Sequence, residues 1–199
     1  MRNTVVHLFC LLFLCLGSIH AQQYQLMSPD GKLTVTVDAG RVLNWKITHD
    51  GTVFLQPSSI ALQGQEEHSP KKEISFGKNV KVLRAERKSV DTSFLTPFYK
   101  RASIKDHYNQ LTLKCRGGYS IQFRVYNDGA AYRFLSEQHK PFIIKEETAD
   151  FNFDRDYPAF IPYINDNRNG ERYCYSFESY YDVTSLSKMY ADSLAITPL

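Results

Sequence analysis

The stretch Phe123-Arg124-Val125-Tyr126-Asn127-Asp128-Gly129-Ala130-Ala131-Tyr132-Arg133-Phe134 decides the fold class. Ile121, Phe123 and Val125 recur at period two and share one face of a strand. Asn127-Asp128-Gly129 then reverses the chain, and Ala131 to Phe134 returns, so the sequence predicts a β-hairpin from Tyr119 to Leu135. Gly or Asn is expected to supply the positive φ of a tight hairpin turn here. The same alternation spreads outward. Leu33, Val35 and Val37 alternate with Thr34 and Thr36, Leu43, Trp45 and Ile47 with Asn44 and Lys46, and Leu111 and Leu113 with Thr112 and Lys114. Ser28-Pro29-Asp30-Gly31 and His49-Asp50-Gly51 supply turns between such strands. Short half-buried strands with turns at close intervals predict an all-β antiparallel sandwich.

Other stretches read differently. Gln63 to Lys72, containing Gln65-Glu66-Glu67-His68, is too polar to order itself by burial and predicts a surface loop with Glu66 and Glu67 solvated. From Lys81 to Lys105, Arg84 to Lys88 would suit a helical turn, whereas Thr92, Thr96 and Pro97 favour irregular or edge structure. Ser185 to Ala195 is compatible with a short helix. The final Ala195-Ile196-Thr197-Pro198-Leu199 has no closing turn or charged tail and reads as an interruption of the fold.

Residues 1–21 read as a signal peptide: Arg2 forms the positive start, Leu8 to Leu16 the apolar segment, and Ala21 the small residue before cleavage. Leu14 before Cys15 is bulky where lipoprotein processing expects a small residue. The expectation is a periplasmic or secreted protein. No later segment approaches the ~20 apolar residues of a membrane-spanning helix. Cleavage leaves Cys115 and Cys174, which could pair in an oxidising compartment or remain as two thiols. Loss of Arg2 takes the formal charge from +3 to +2, with both signs interspersed, which argues against a nucleic-acid partner. The 13 Tyr and 13 Phe supply bulk for one domain with a real core.

Candidate chemistry is sparse. Glycosidic hydrolysis uses two converging carboxylates, but Glu146 and Glu147 are neighbours on a predicted strand and point to opposite faces. Asp154/Asp156 is the remaining doublet. Asn165-Asp166-Asn167-Arg168-Asn169-Gly170 imitates the first half of a calcium loop, yet the twelfth position is Ser176 where a bidentate Glu is needed, so it reads as a polar turn. His49, His68, His107 and His139 have no metal-ligand spacing, and no Gly-x-Ser-x-Gly elbow occurs. Tyr173, Tyr175, Phe177, Tyr180 and Tyr181 could stack on sugar rings, or pack as ordinary core and interdomain side chains.

Four motifs in order carry a family resemblance. Ser28-Pro29-Asp30-Gly31-Lys32-Leu33, Asp106-His107-Tyr108-Asn109-Gln110-Leu111, the hairpin Phe123 to Phe134, and Phe177-Glu178-Ser179-Tyr180-Tyr181 with the closing Ile196 to Leu199 resemble the N-terminal domain of glycoside hydrolase family 97. The resemblance implies secreted or periplasmic bacterial enzymes acting on α-glucosides or α-galactosides. It also implies an N-terminal β-super-sandwich of the galactose-mutarotase type, a central (β/α)8 barrel and a small C-terminal β domain. Catalytic carboxylates belong to the barrel. The resemblance further implies a calcium ion near the active site, held mostly by barrel carboxylates together with a glutamate that the N-terminal domain contributes and that aligns downstream of Leu199.

The resulting expectation is residues 22–199 as a partial sandwich, incomplete at its C-terminus. It would carry no catalytic residue and no metal ligand of its own, and would reach α-linked oligosaccharide or polysaccharide through the parent enzyme and its barrel. Glu178, Tyr180 and Tyr181 are the candidate substrate-rim or interdomain residues; ordinary strand packing is their alternative. A free-standing secreted carbohydrate-binding module is the rival from another class. A mutarotase-like epimerase, needing a convergent His and carboxylate set, is the third reading.

Overall fold

The computed structural model describes residues 22–98, 100–164, 180–190 and 195. Within them the chain is built from antiparallel strands. β1 (Gln22–Met27), β2 (Leu33–Ala39), β3 (Leu43–His49) and β4 (Thr52–Glu66) form a meander, followed by β5 (Ser69–Phe76). Next come β6 (Val82–Leu95), β7 (Ser103–Cys115), β8 (Tyr119–Val125) and β9 (Ala130–Ser136), then β10 (Phe142–Ala149). β11 (Pro158–Ile161) and β12 (Asp182–Ser185) pair separately and lead into a single 3-10 turn at Leu186–Lys188.

One sheet has the order β1-β2-β3-β4-β10, with β5 also paired to β4; the other is β6-β7-β8-β9. The 15-residue β4 organises the first sheet. Along one edge it pairs β3 from Leu43↔Ile60 to His49↔Thr52 and then β5 from Leu62↔Phe76 to Glu66↔Ser69. Along the other edge lies β10, from Phe142↔Glu66 to Ala149↔Ile60, extended by Asp150 N–H to Ser59 O at 2.9 Å and Gln56 N–H to Asn152 O at 2.7 Å.

The predicted alternation fills the space between the sheets. Val35, Val37, Leu43, Trp45, Ile47 and Ile60 from one sheet meet Leu111, Leu113, Ile121, Phe123 and Val125 from the other in one buried cluster. Full burial of such side chains stabilises by about 1.5–3 kcal/mol each. Trp45 packs edge-on against Tyr132 (centroids 5.3 Å apart) and Phe151 (5.9 Å), and its buried indole N–H has no hydrogen-bond partner among the described residues. Phe76 stacks on Tyr119 at 4.5 Å, where the chain leaves the first sheet for the second. Gly77 makes that corner at φ +82; a Cβ there would meet Ile60 O at 2.4 Å. Its N–H donates to Tyr119 Oη at 3.2 Å. Along one side of the sandwich, Arg87 Nη1 donates to Gln25 O at 2.7 Å and Asn109 Nδ2 to Met27 O at 2.9 Å, and Asp30 N–H reaches Asn127 Oδ1 at 3.1 Å.

Three local expectations need correction. The polar stretch Gln63 to Lys72 is not a loop but the β4–β5 hairpin. Glu66 in it is 4% exposed, gripped by Lys72 Nζ at 2.8 Å and Lys140 Nζ at 2.7 Å. Hydrogen bonds from Lys140 and then Lys72 hold its carboxyl below the usual range, so its burial is compensated rather than avoided. Of the two readings of Lys81 to Lys105 the helical turn at Arg84 to Lys88 fails and the edge holds: those residues belong to β6, an edge strand whose charged residues discourage pairing with another chain. Finally, the hairpin at Tyr126–Gly129 turns without positive φ. Among the described residues left-handed φ values fall elsewhere, including Asp50 (47°) and Gly51 (79°) of the β3–β4 turn and Gly31 (77°). Val125↔Ala130 leaves a four-residue loop, closed by Tyr126 N–H to Gly129 O at 2.8 Å, and loops of that length are most often built around a type I turn.

Candidate substrate-rim site

The predicted rim aromatics lie beside β11 and β12. Four residues of each strand pair in register from Pro158↔Ser185 to Ile161↔Asp182. Alternation gives this ribbon two faces. Ala159 and Ile161 turn inward with Tyr163, against Leu186 and Ala195. The cross-strand pair Phe160↔Val183 turns outward, at 60% and 69% exposure. Asp156 fixes the turn that follows: Ser187 N–H donates to its Oδ1 at 2.9 Å and Ser187 Oγ to its Oδ2 at 2.7 Å. These two bonds, the backbone one first, hold the Asp156 carboxyl below its ordinary pKa.

A depression of about 260 Å³ opens here, lined by Tyr163, Asp182, Val183, Thr184, Lys188 and Tyr190. The Tyr163 and Tyr190 rings are 5.1 Å apart, and Tyr190 N–H donates to Tyr163 Oη at 2.9 Å, which locks the floor. One carboxylate, one ammonium, a hydroxyl and two aromatic rings can hydrogen-bond sugar hydroxyls and cover an apolar sugar face. Among the described residues of the lining Asp182 is the single acid, whereas two-carboxylate hydrolysis needs a converging pair.

Tyr180, directly before β12, is 96% exposed, and Tyr181 is half-exposed. Glu178, Cys174, the turn at Asn165–Gly170 and residues 1–21 lie outside the described residues. Cys115 is a free, buried thiol whose pKa is raised by burial. Among the described residues no group of three or more His, Cys, Asp or Glu is placed to hold a metal ion. The acidic doublets are otherwise engaged: Glu146 accepts from Gln63 Nε2 at 2.9 Å and Asp154 from Tyr157 Oη at 2.8 Å. Tyr163, Asp182, Lys188 and Tyr190 were not foreseen as site residues; they are scattered along the sequence, and only the ribbon pairing assembles them.

Residues 26–199 match the family model described as glycosyl-hydrolase 97 N-terminal. The chain belongs to that family. Over 203 aligned residues it is 36% identical to a retaining alpha-galactosidase of Bacteroides thetaiotaomicron; the match covers 100% of this chain and 30% of that enzyme. The chain thus spans under a third of its curated relative. Among solved structures, a glycoside hydrolase family 97 enzyme from Pseudoalteromonas sp. strain K8, in complex with acarbose, superposes with TM-score 0.62 at 18% identity. That match covers 81% of this chain and 24% of the enzyme. A beta-arabinopyranosidase gives TM-score 0.64 at 22% identity, covering 81% and 26%. These two structural likenesses bear on the fold alone, and they agree with an all-β sandwich.

Proposed function

We propose that this chain is the non-catalytic N-terminal sandwich of an exported family 97 α-glycosidase, with residues 1–21 as its leader. The depression beside β12 forms part of the wall of the active-site mouth. The observation that carries this reading is the family match over 26–199 combined with 36% identity to a retaining alpha-galactosidase. An α-galactoside is accordingly the favoured substrate, because the glucoside-type complex, with acarbose, belongs to a relative only 18% identical. In this reading the carboxylates of hydrolysis belong to the (β/α)8 barrel of the longer enzyme, which holds the calcium ion together with a glutamate of the N-terminal domain downstream of Leu199. The sandwich contributes surface: Tyr180 and Tyr181, with Glu178, contact substrate or barrel at the rim.

The test is the intact mass of the native product carrying this N-terminus, followed by assay on α-galactoside and α-glucoside. A mass far above that of residues 22–199, with α-galactoside preferred, is expected. A mass equal to residues 22–199 with neither substrate cleaved would leave a binding module in place of an enzyme domain. Within the longer enzyme, Tyr180→Ala should raise KM on an oligosaccharide several-fold and leave stability within about 0.5 kcal/mol, as befits an exposed side chain. Unchanged kinetics would remove Tyr180 from the rim.

A further inference from the structure

We propose that the outer face of the β7–β8–β9 sheet is a binding site for an anionic sugar, one bearing a carboxylate or a sulfate ester. The sugar half of this inference rests on the glycosidase reading above; the anion half rests on geometry alone. Because Leu111, Leu113, Ile121 and Phe123 fill the core, their strand neighbours Gln110, Thr112, Gln122 and Arg124 point to the opposite face. An outer sheet face is ordinarily solvated. Here Tyr108, Gln122 and Thr112 are only 4%, 8% and 9% exposed.

They are buried under a connected network. Arg133 Nε donates to Gln122 Oε1 at 2.9 Å, and Gln122 Nε2 donates to Thr112 Oγ1 at 3.2 Å. From the other side Gln110 Nε2 reaches the same hydroxyl at 3.4 Å, while Arg124 Nε donates to Gln110 Oε1 at 3.1 Å. The Arg124 guanidinium also lies 4.3 Å over the Tyr108 ring. Each arginine is therefore held at its Nε by a neutral amide, and its Nη groups donate to no other described residue.

Both arginines line one depression of about 180 Å³, with Tyr126, Ala131 and Tyr132. Neither forms an ion pair among the described residues, although the sheet and its flanks carry several carboxylates. Asp106 accepts from Tyr126 Oη at 3.4 Å, Glu86 is taken by Arg84 and Lys114, Asp91 by Lys105 and His107, and Glu137 accepts from Ser120 Oγ. A network that only tied three strands together would need the amides and the Nε atoms, and nothing more. Two pre-oriented guanidinium forks without a carboxylate match the bidentate geometry of a carboxylate or sulfate group, and fixing them in advance lowers the ordering cost of binding. Tyr126 offers an aromatic surface beside them for the sugar ring.

The experiment is calorimetric titration of the native protein carrying this chain with methyl α-galacturonide, galactose 6-sulfate and, as neutral control, methyl α-galactoside. Expected is at least tenfold tighter binding of one or both acidic sugars than of the neutral one, weakening with added salt. Response to the uronide alone assigns a carboxylate, to the sulfate alone a sulfate ester. Arg133→Gln, at an exposed position, should remove that tenfold advantage, and Arg133→Lys, which keeps charge but loses the fork, should restore only part of it. Equal binding of acidic and neutral sugars, or full retention of the advantage in Arg133→Gln, overturns the site. Hydrolysis of the neutral α-galactoside is read separately. Hydrolysis without acid-sugar binding sinks this inference and spares the enzyme reading, whereas acid-sugar binding without hydrolysis does the reverse.

Discussion

The two-sheet core and the β11–β12 ribbon obey the same alternation rule and end in opposite conditions. Between the large sheets Val35, Val37, Leu43, Ile60, Leu111, Leu113, Ile121, Phe123 and Val125 are wholly removed from solvent. In the ribbon only Ala159, Ile161 and Tyr163 are buried, and Phe160 with its partner Val183 stays largely exposed. An isolated two-stranded ribbon is marginal at best in water. Stability therefore resides in the sandwich, and the ribbon presents surface, as a wall facing substrate or another domain would.

Breaking the sandwich should have the largest effect. Phe123→Ala removes a ring packed on Trp45 (6.2 Å) and Tyr132 (6.2 Å) at the centre of the core and should cost about 3–5 kcal/mol in urea unfolding. A loss below ~1 kcal/mol would mean that the two sheets do not share one core. Tyr119→Phe is the intermediate case. It orphans the Gly77 N–H at the buried corner, for an expected loss of about 1–3 kcal/mol.

The same tyrosine gives a pH signature. Burial first, with the neighbouring Cys115 adding, pushes the folded-state pKa of Tyr119 from its ordinary 10.0 up to about 12. The unfolded chain ionises first, so this contribution is fully present below pH 10 and disappears as pH rises from there through about 12. Wild type should lose stability across that window more steeply than Tyr119→Phe; parallel curves would contradict the buried hydroxyl. Smallest of all, Phe160→Ser on the outward face of the ribbon should shift sandwich unfolding by no more than about 0.5 kcal/mol. A loss comparable to Phe123→Ala would erase the distinction between the two regions.

The sandwich was legible where apolar residues on the core face alternate with polar residues on the outer face, as in β2, β3, β7 and β8. It was illegible in β5 and β6 for opposite physical reasons. β5 and the end of β4 carry a buried carboxylate whose compensation comes from Lys72 nearby and from Lys140, 74 positions away, which no local pattern discloses. β6 is a mostly exposed edge, so charge serves there where a central strand would carry valine. Tyr180 and Tyr181 enter the rim proposal from aromatic content and family likeness alone. The residues that line the depression depend on a strand pairing between positions more than twenty residues apart. Neither guanidinium of the outer-face network stood out, since each looks in sequence like an ordinary polar residue of the hairpin.

The long β4 also sets a timetable. Its partners β3 and β5 are its immediate neighbours in the chain, but β10 arrives late: the Gln63–Glu146 contact spans 83 positions. At a synthesis rate of about 5–20 residues per second, that gap corresponds to roughly 4–17 s between the emergence of one partner and the other. Until then the central strand of the first sheet has one open edge, so factors that shield nascent chains matter most while residues 67–141 are being made.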